Sequence, residues 1–90
     1  MKPKAGPQVA WQVIDGEAVI VDLATGATIG LNPTATFLWS HLDGRDETAL
    51  AEALAAEFEV GADEAAADVR DFLGQMQERK LIVDLEGGKA

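Results

Sequence analysis

The hydrophobic pattern of this 90-residue chain changes period once, at Leu31-Asn32-Pro33. Before that point apolar residues recur at every second position, and after it they recur at the three-to-four spacing of a helix face. A β half therefore precedes an α half. At this length folding buries only roughly 60% of the surface the unfolded chain exposes, so both halves have to share one thin core in one domain.

In the β half, Val9, Trp11 and Val13 fall on one side of a strand, and Asp15-Gly16 is a tight-turn signal. The second strand, Ala18 to Leu23, is apolar on both faces for much of its length, as a middle strand is. Ala24-Thr25-Gly26 makes the next turn, and a third strand places Ala27, Ile29 and Leu31 on one face. The expectation is a three-stranded antiparallel meander with its first and third strands at the edges and Trp11 as a core anchor. Residues 1–8 hold two prolines, two lysines and a glycine, which predicts a flexible N-terminal arm.

In the α half, Asn32 suits an N-cap and Pro33 the first helical position, where its missing N–H costs nothing. Ala35, Leu38, Trp39 and Leu42 keep helical spacing until Asp43-Gly44 ends the run. A second helix over about 48–58, capped by Thr48, uses Leu50, Ala53, Leu54 and Phe58. A third over about 62–80 carries Asp63 and Glu64 in its first turn and Arg79-Lys80 in its last, the order that complements the helix dipole. Its apolar stripe is Ala65, Val69, Phe72, Leu73 and Met76. Leu81-Ile82-Val83 reads as a short strand or apolar strap, and 84–90 as a flexible tail. The class is α+β, an N-terminal three-stranded antiparallel sheet packed on a three-helix bundle, with the domain spanning 9–83.

Charge and chemistry narrow the function. Sixteen acids against 7 bases give a net charge of -9, which opposes binding to phosphate backbones and to anionic membrane surfaces. No apolar run reaches the ~20 residues of a membrane span and the N-terminus lacks the apolar core of a signal peptide, so the expected location is cytoplasmic. Without cysteine there are no disulfides and no thiolate metal ligands. Ser40 and His41, the sole residues of their kinds, sit at adjacent helix positions that diverge by about 100° and so form no dyad. Asp63, Glu64, Asp68 and Asp71 read as a solvated helix face without calcium-loop spacing. Gly26 and Gly30 read as a turn glycine and a close-approach glycine. No catalysis, cofactor or metal is expected. The third strand, by contrast, has neither proline nor charge to guard its edge, and an open edge accepts an extended peptide through main-chain hydrogen bonds.

Gly26-Ala27-Thr28-Ile29-Gly30-Leu31-Asn32-Pro33-Thr34-Ala35-Thr36-Phe37-Leu38-Trp39 followed by Leu42-Asp43-Gly44 resembles the signature of the pyrroloquinoline quinone synthesis protein D (PqqD) family. Trp11 and Asp15-Gly16-Glu17-Ala18-Val19 upstream, and Asp68-Val69, Phe72-Leu73 and Leu81-Ile82-Val83 downstream, extend the likeness over about 9–83. The resemblance implies a winged helix-turn-helix-like fold and a peptide chaperone. Such proteins bind the leader of a ribosomally made precursor peptide and present it to a modifying enzyme such as a radical S-adenosylmethionine enzyme, a protease or a cyclase. It also implies that the leader adds to the third strand, here Thr28, Ile29, Gly30 and Leu31, and lies against the third helix, here Ala65, Asp68, Val69 and Phe72. Family members often carry aromatic residues where this chain has Thr28 and Ile29. A winged-helix DNA binder and a small structural subunit are the alternative readings, the first opposed by the net charge.

Overall fold

A computed structural model describes residues 2–85 of the chain. Its elements are β1 (Pro3–Ala5), β2 (Val9–Ile14), β3 (Glu17–Asp22), β4 (Thr28–Gly30), α1 (Pro33–Ser40), α2 (Glu47–Phe58), α3 (Ala62–Glu78) and β5 (Ile82–Asp84). Asp15 and Gly16 take positive φ, 54° and 79°, the turn whose twist matches the strands it joins. The meander forms as expected, in the order β2-β3-β4, with Trp11 opposite Ile20 and Ile20 opposite Ile29. Ala18 and Ile20 are fully buried against the helices, while Val19 and Val21 on the other face stay partly exposed. The sheet thus has one covered face and one open face.

At the junction of the two halves, Asn32 Oδ1 accepts from the Ala35 N–H at 2.8 Å, and Pro33 opens α1. Thr36, one turn on, is buried. Its hydroxyl oxygen accepts from the Ala18 N–H at 2.8 Å and its hydroxyl reaches the Leu31 carbonyl at 3.4 Å. The hydroxyl takes the place of a sheet bond: the Ala18 and Leu31 main chains exchange one direct bond, from Leu31 N–H at 2.8 Å, and Thr36 bridges the other pair of groups. A buried N–H without that partner would cost about 1–3 kcal/mol, so Thr36 locks α1 onto the sheet.

Five expectations need correction. Residues 3–5 of the supposed arm form β1, paired antiparallel with β5. Pro3 stands at the first strand position, where no ladder N–H is needed, and Gly6 is buried where a Cβ would meet Gln8 Oε1 at 2.8 Å and the Leu81 carbonyl at 3.2 Å. Pro3 and Gly6, which read as disorder, serve an edge strand and a close approach. The same pairing puts Asp84, assigned to the tail, inside β5, and residues 86–90 of that tail lie outside the described residues.

Trp11 is 45% exposed. It lies on the helix-facing side of β2, but β2 is an edge strand and offers only an edge contact to Trp39, ring centroids 6.1 Å apart at 83°. The cap of α2 is Asp46, whose carboxylate accepts from the Ala49 N–H at 2.9 Å, rather than Thr48. A carboxylate there satisfies the orphan donor and also favours the positive helix end. Finally, α3 stops at Glu78: Lys80 turns left-handed (φ 60°), with Lys80 N–H bonding Gln77 C=O at 2.9 Å and Leu81 N–H bonding Met76 C=O at 2.9 Å. That double closure directs the chain back to β5. With the β1–β5 pair packed on α3 through β5, the helical half is winged helix-turn-helix-like.

Candidate functional site

The register of β4 decides which main-chain groups are offered at the edge. Asp22 N–H bonds Ala27 C=O at 2.9 Å and Leu31 N–H bonds Ala18 C=O at 2.8 Å. Residues 27, 29 and 31 therefore turn their main-chain groups toward β3, and the alternate residues Thr28 and Gly30 turn theirs away from the sheet. Both are exposed. Ile29 packs its side chain on the core side. Leu31, included among the candidate edge residues, is 8% exposed with its N–H committed to Ala18, which makes it a core residue.

The other sheet edge is also open. Leu23 N–H bonds Gln8 C=O at 2.8 Å, which sets Trp11 and Val13 with outward main-chain groups on β2. What distinguishes β4 is the groove that begins just beyond it. Asn32, Thr34, Ala35 and Leu38 form one wall and Asp68, Asp71, Phe72 and Gln75 of α3 the other, enclosing about 270 Å³. A strand laid on β4 would direct alternate side chains to the helix-packed face on this side of the molecule.

Of the four third-helix candidates, Asp68 and Phe72 line this groove. Ala65 is fully buried and Val69 is 1% exposed. Ala65 therefore belongs to the core, and Val69 touches a separate hollow between α2 and α3 together with Ala51, Ala55 and Ala66. Asp71 and Gln75 were missed. Positions 68, 71, 72 and 75 carry the same helical spacing as the core stripe, rotated by about one residue, and share Phe72 with it. That second stripe is polar, which is why it reads as a solvated face.

Two carboxylates and two amide side chains give the groove a negative, hydrogen-bonding character suited to a cationic or polar segment. His41 caps α1, its Nδ1 2.7 Å from the Phe37 carbonyl oxygen, and takes no part in the groove. Between α1 and α2, Arg45 Nε and Nη2 each donate to the Asp43 carboxylate at 2.9 Å, and this guanidinium hydrogen bond holds the Asp43 carboxyl below its ordinary range. Among the described residues there is no cluster of His, Asp or Glu able to hold a metal ion, and no helix long and apolar enough to cross a membrane.

Comparison with known proteins places the fold in a group. The model of the family Coenzyme PQQ synthesis protein D (PqqD) matches residues 17–82. TbiB1, solved in complex with the TbiA(beta) leader peptide, is 31% identical and superposes with a TM-score of 0.83 over 97% of this chain and 98% of its own. A lasso peptide synthetase B1 complexed with its leader peptide shares the fold at 24% identity, with a TM-score of 0.82 over 92% of this chain and 99% of its own. Among curated proteins nothing matches the chain.

Proposed function

The chain belongs to the PqqD family, and from that premise we propose that it is a non-catalytic chaperone that binds the leader of a ribosomally synthesised precursor peptide by strand addition to β4. In this reading it works in the cytoplasm and presents the bound peptide to a modifying enzyme, such as a radical S-adenosylmethionine enzyme, a protease or a cyclase. The observation that carries the proposal is the outward pair of N–H and C=O groups at Thr28 and Gly30 beside the groove of Asp68 and Phe72. The leader-bound state of TbiB1 over nearly the whole fold supports it.

Thr28 and Gly30 offer up to four main-chain bonds, each worth about 1 kcal/mol net. Two apolar anchors add about 2 kcal/mol each, and ordering the leader subtracts about 2–5 kcal/mol. The balance corresponds to affinity no better than micromolar unless the enzyme adds contacts. A DNA-binding reading gains nothing from α3, where Asp63, Glu64, Asp68, Asp71 and Glu78 face a single Arg70.

The test is a titration of labelled leader, taken from a precursor peptide encoded beside this chain's gene, with parent and Asp68→Lys proteins at low salt. Asp68 is half-buried at the groove margin, so the variant should melt like the parent. Its affinity for a leader with basic residues should fall about tenfold, or ~1.4 kcal/mol. Unchanged affinity would place the groove elsewhere.

A further inference from the structure

Gly30 is a glycine that the fold itself does not require. Its φ is not positive, and a Cβ there would meet nothing within 4 Å. Glycine inside a strand weakens it, and it marks either a bulge or a close approach by another group. Gly30 pairs in register with Val19, so no bulge is present, and no group among the described residues makes the close approach.

Alternation places the missing side chain on the open face of the sheet, the face of Val19 and Val21. There, Ile14, Val19 and Gly30, with Asp15 and Glu17 nearby, border a shallow depression of about 500 Å³. Gly30 also turns its N–H and C=O outward, so a strand added to β4 would pair directly with it. Directly paired residues project to the same face whichever way the added strand runs. The leader residue opposite Gly30 therefore points to the open face, away from the α3 groove.

We propose that this leader residue is a large apolar one, aromatic or long aliphatic, that lies across Gly30 and seats on Val19 and Ile14. The inference rests on the strand-addition reading of β4 and adds a second specificity subsite on the opposite face. Large side chains cover an edge glycine because they fill the space and exclude water from its backbone bonds. The Asp15 and Glu17 carboxylates at the margin exclude an acidic residue from the same position.

The experiment selects short random peptides displayed on phage against the full chain, and measures binding of the selected peptides to the parent, Gly30→Ala, Gly30→Val and Thr28→Pro proteins. Both Gly30 variants should fold, since the site is open and the backbone ordinary. Peptides lost on Thr28→Pro should share a large apolar residue at one position. Gly30→Val should weaken these about tenfold, and derivatives with alanine at that position by much less. If edge-bound peptides show no such residue, or if Gly30→Val acts equally on large and small residues, the subsite is refuted and strand addition stands. If every selected peptide survives Thr28→Pro, strand addition to β4 fails and the subsite with it.

Discussion

Proline at Ile29 is expected to unfold the protein, and proline one residue earlier, at Thr28, to leave it folded and unable to bind a leader. The register separates the two neighbours. Ile29 turns its N–H toward β3 and packs its side chain on the core, so Ile29→Pro removes a ladder bond and core contacts together. The β3 carbonyl left without its donor costs about 1–3 kcal/mol and the lost core contacts about 1 kcal/mol more, a large share of what a domain this small has to spare. Thr28 turns its N–H outward and its side chain is exposed, the setting in which an edge strand tolerates proline. The ring then removes one donor that an incoming strand needs and crowds its approach, so leader binding should fall at least about tenfold. Thermal melting and leader titration on both variants check this. Two folded variants that both bind would remove β4 from the mechanism.

Trp39→Ala should cost about 3–5 kcal/mol, the range for truncating a large buried aromatic residue. Trp39 is 2% exposed at the centre of the shared core, between Trp11 of the sheet and the other helices. For a domain of this size the loss lowers the melting temperature by roughly 12 °C or more. Trp39→Phe should cost much less. It keeps a ring in place and discards an indole N–H that is buried with no hydrogen-bond partner among the described residues. Trp11→Ala, at an edge position 45% exposed, should also fall well below Trp39→Ala. Urea unfolding of the three variants gives the order, and equal costs for Trp11 and Trp39 would contradict the core assignment.

What was legible in the sequence is what rests on local chemistry. Asp15-Gly16 specifies its turn by backbone preference, and Asn32-Pro33 specifies a helix start by capping, whatever lies around them. The β1–β5 pairing was not legible, because two three-residue strands some eighty positions apart show no period and gain their stability only from each other. Thr36 was invisible for a related reason: a hydroxyl in a helix reads as solvent-facing until the sheet supplies a buried N–H for it. Trp11 has the right alternation, but alternation reports the face of a strand and not whether helices extend far enough to cover it.

The edge strand of the candidate site followed from its lack of guarding residues. Which of its main-chain groups face outward, those of Thr28 and Gly30 rather than Ile29 and Leu31, required the register. On α3, core and groove stripes overlap at Phe72, so a helical wheel could not assign Ala65 and Val69 to the interior and Asp71 and Gln75 to the groove. The Asp68 carboxylate lies beside both, which explains why it was a candidate on either view.

The most direct measurement is residue-resolved amide hydrogen exchange with and without saturating leader peptide. Outward N–H groups at an open edge exchange with water until a strand bonds them. Strand addition at β4 predicts that the Thr28 and Gly30 amides slow markedly on binding, while Trp11 and Val13, outward on the opposite edge, exchange as before. Protection of Trp11 and Val13 with Thr28 and Gly30 unchanged would contradict the account.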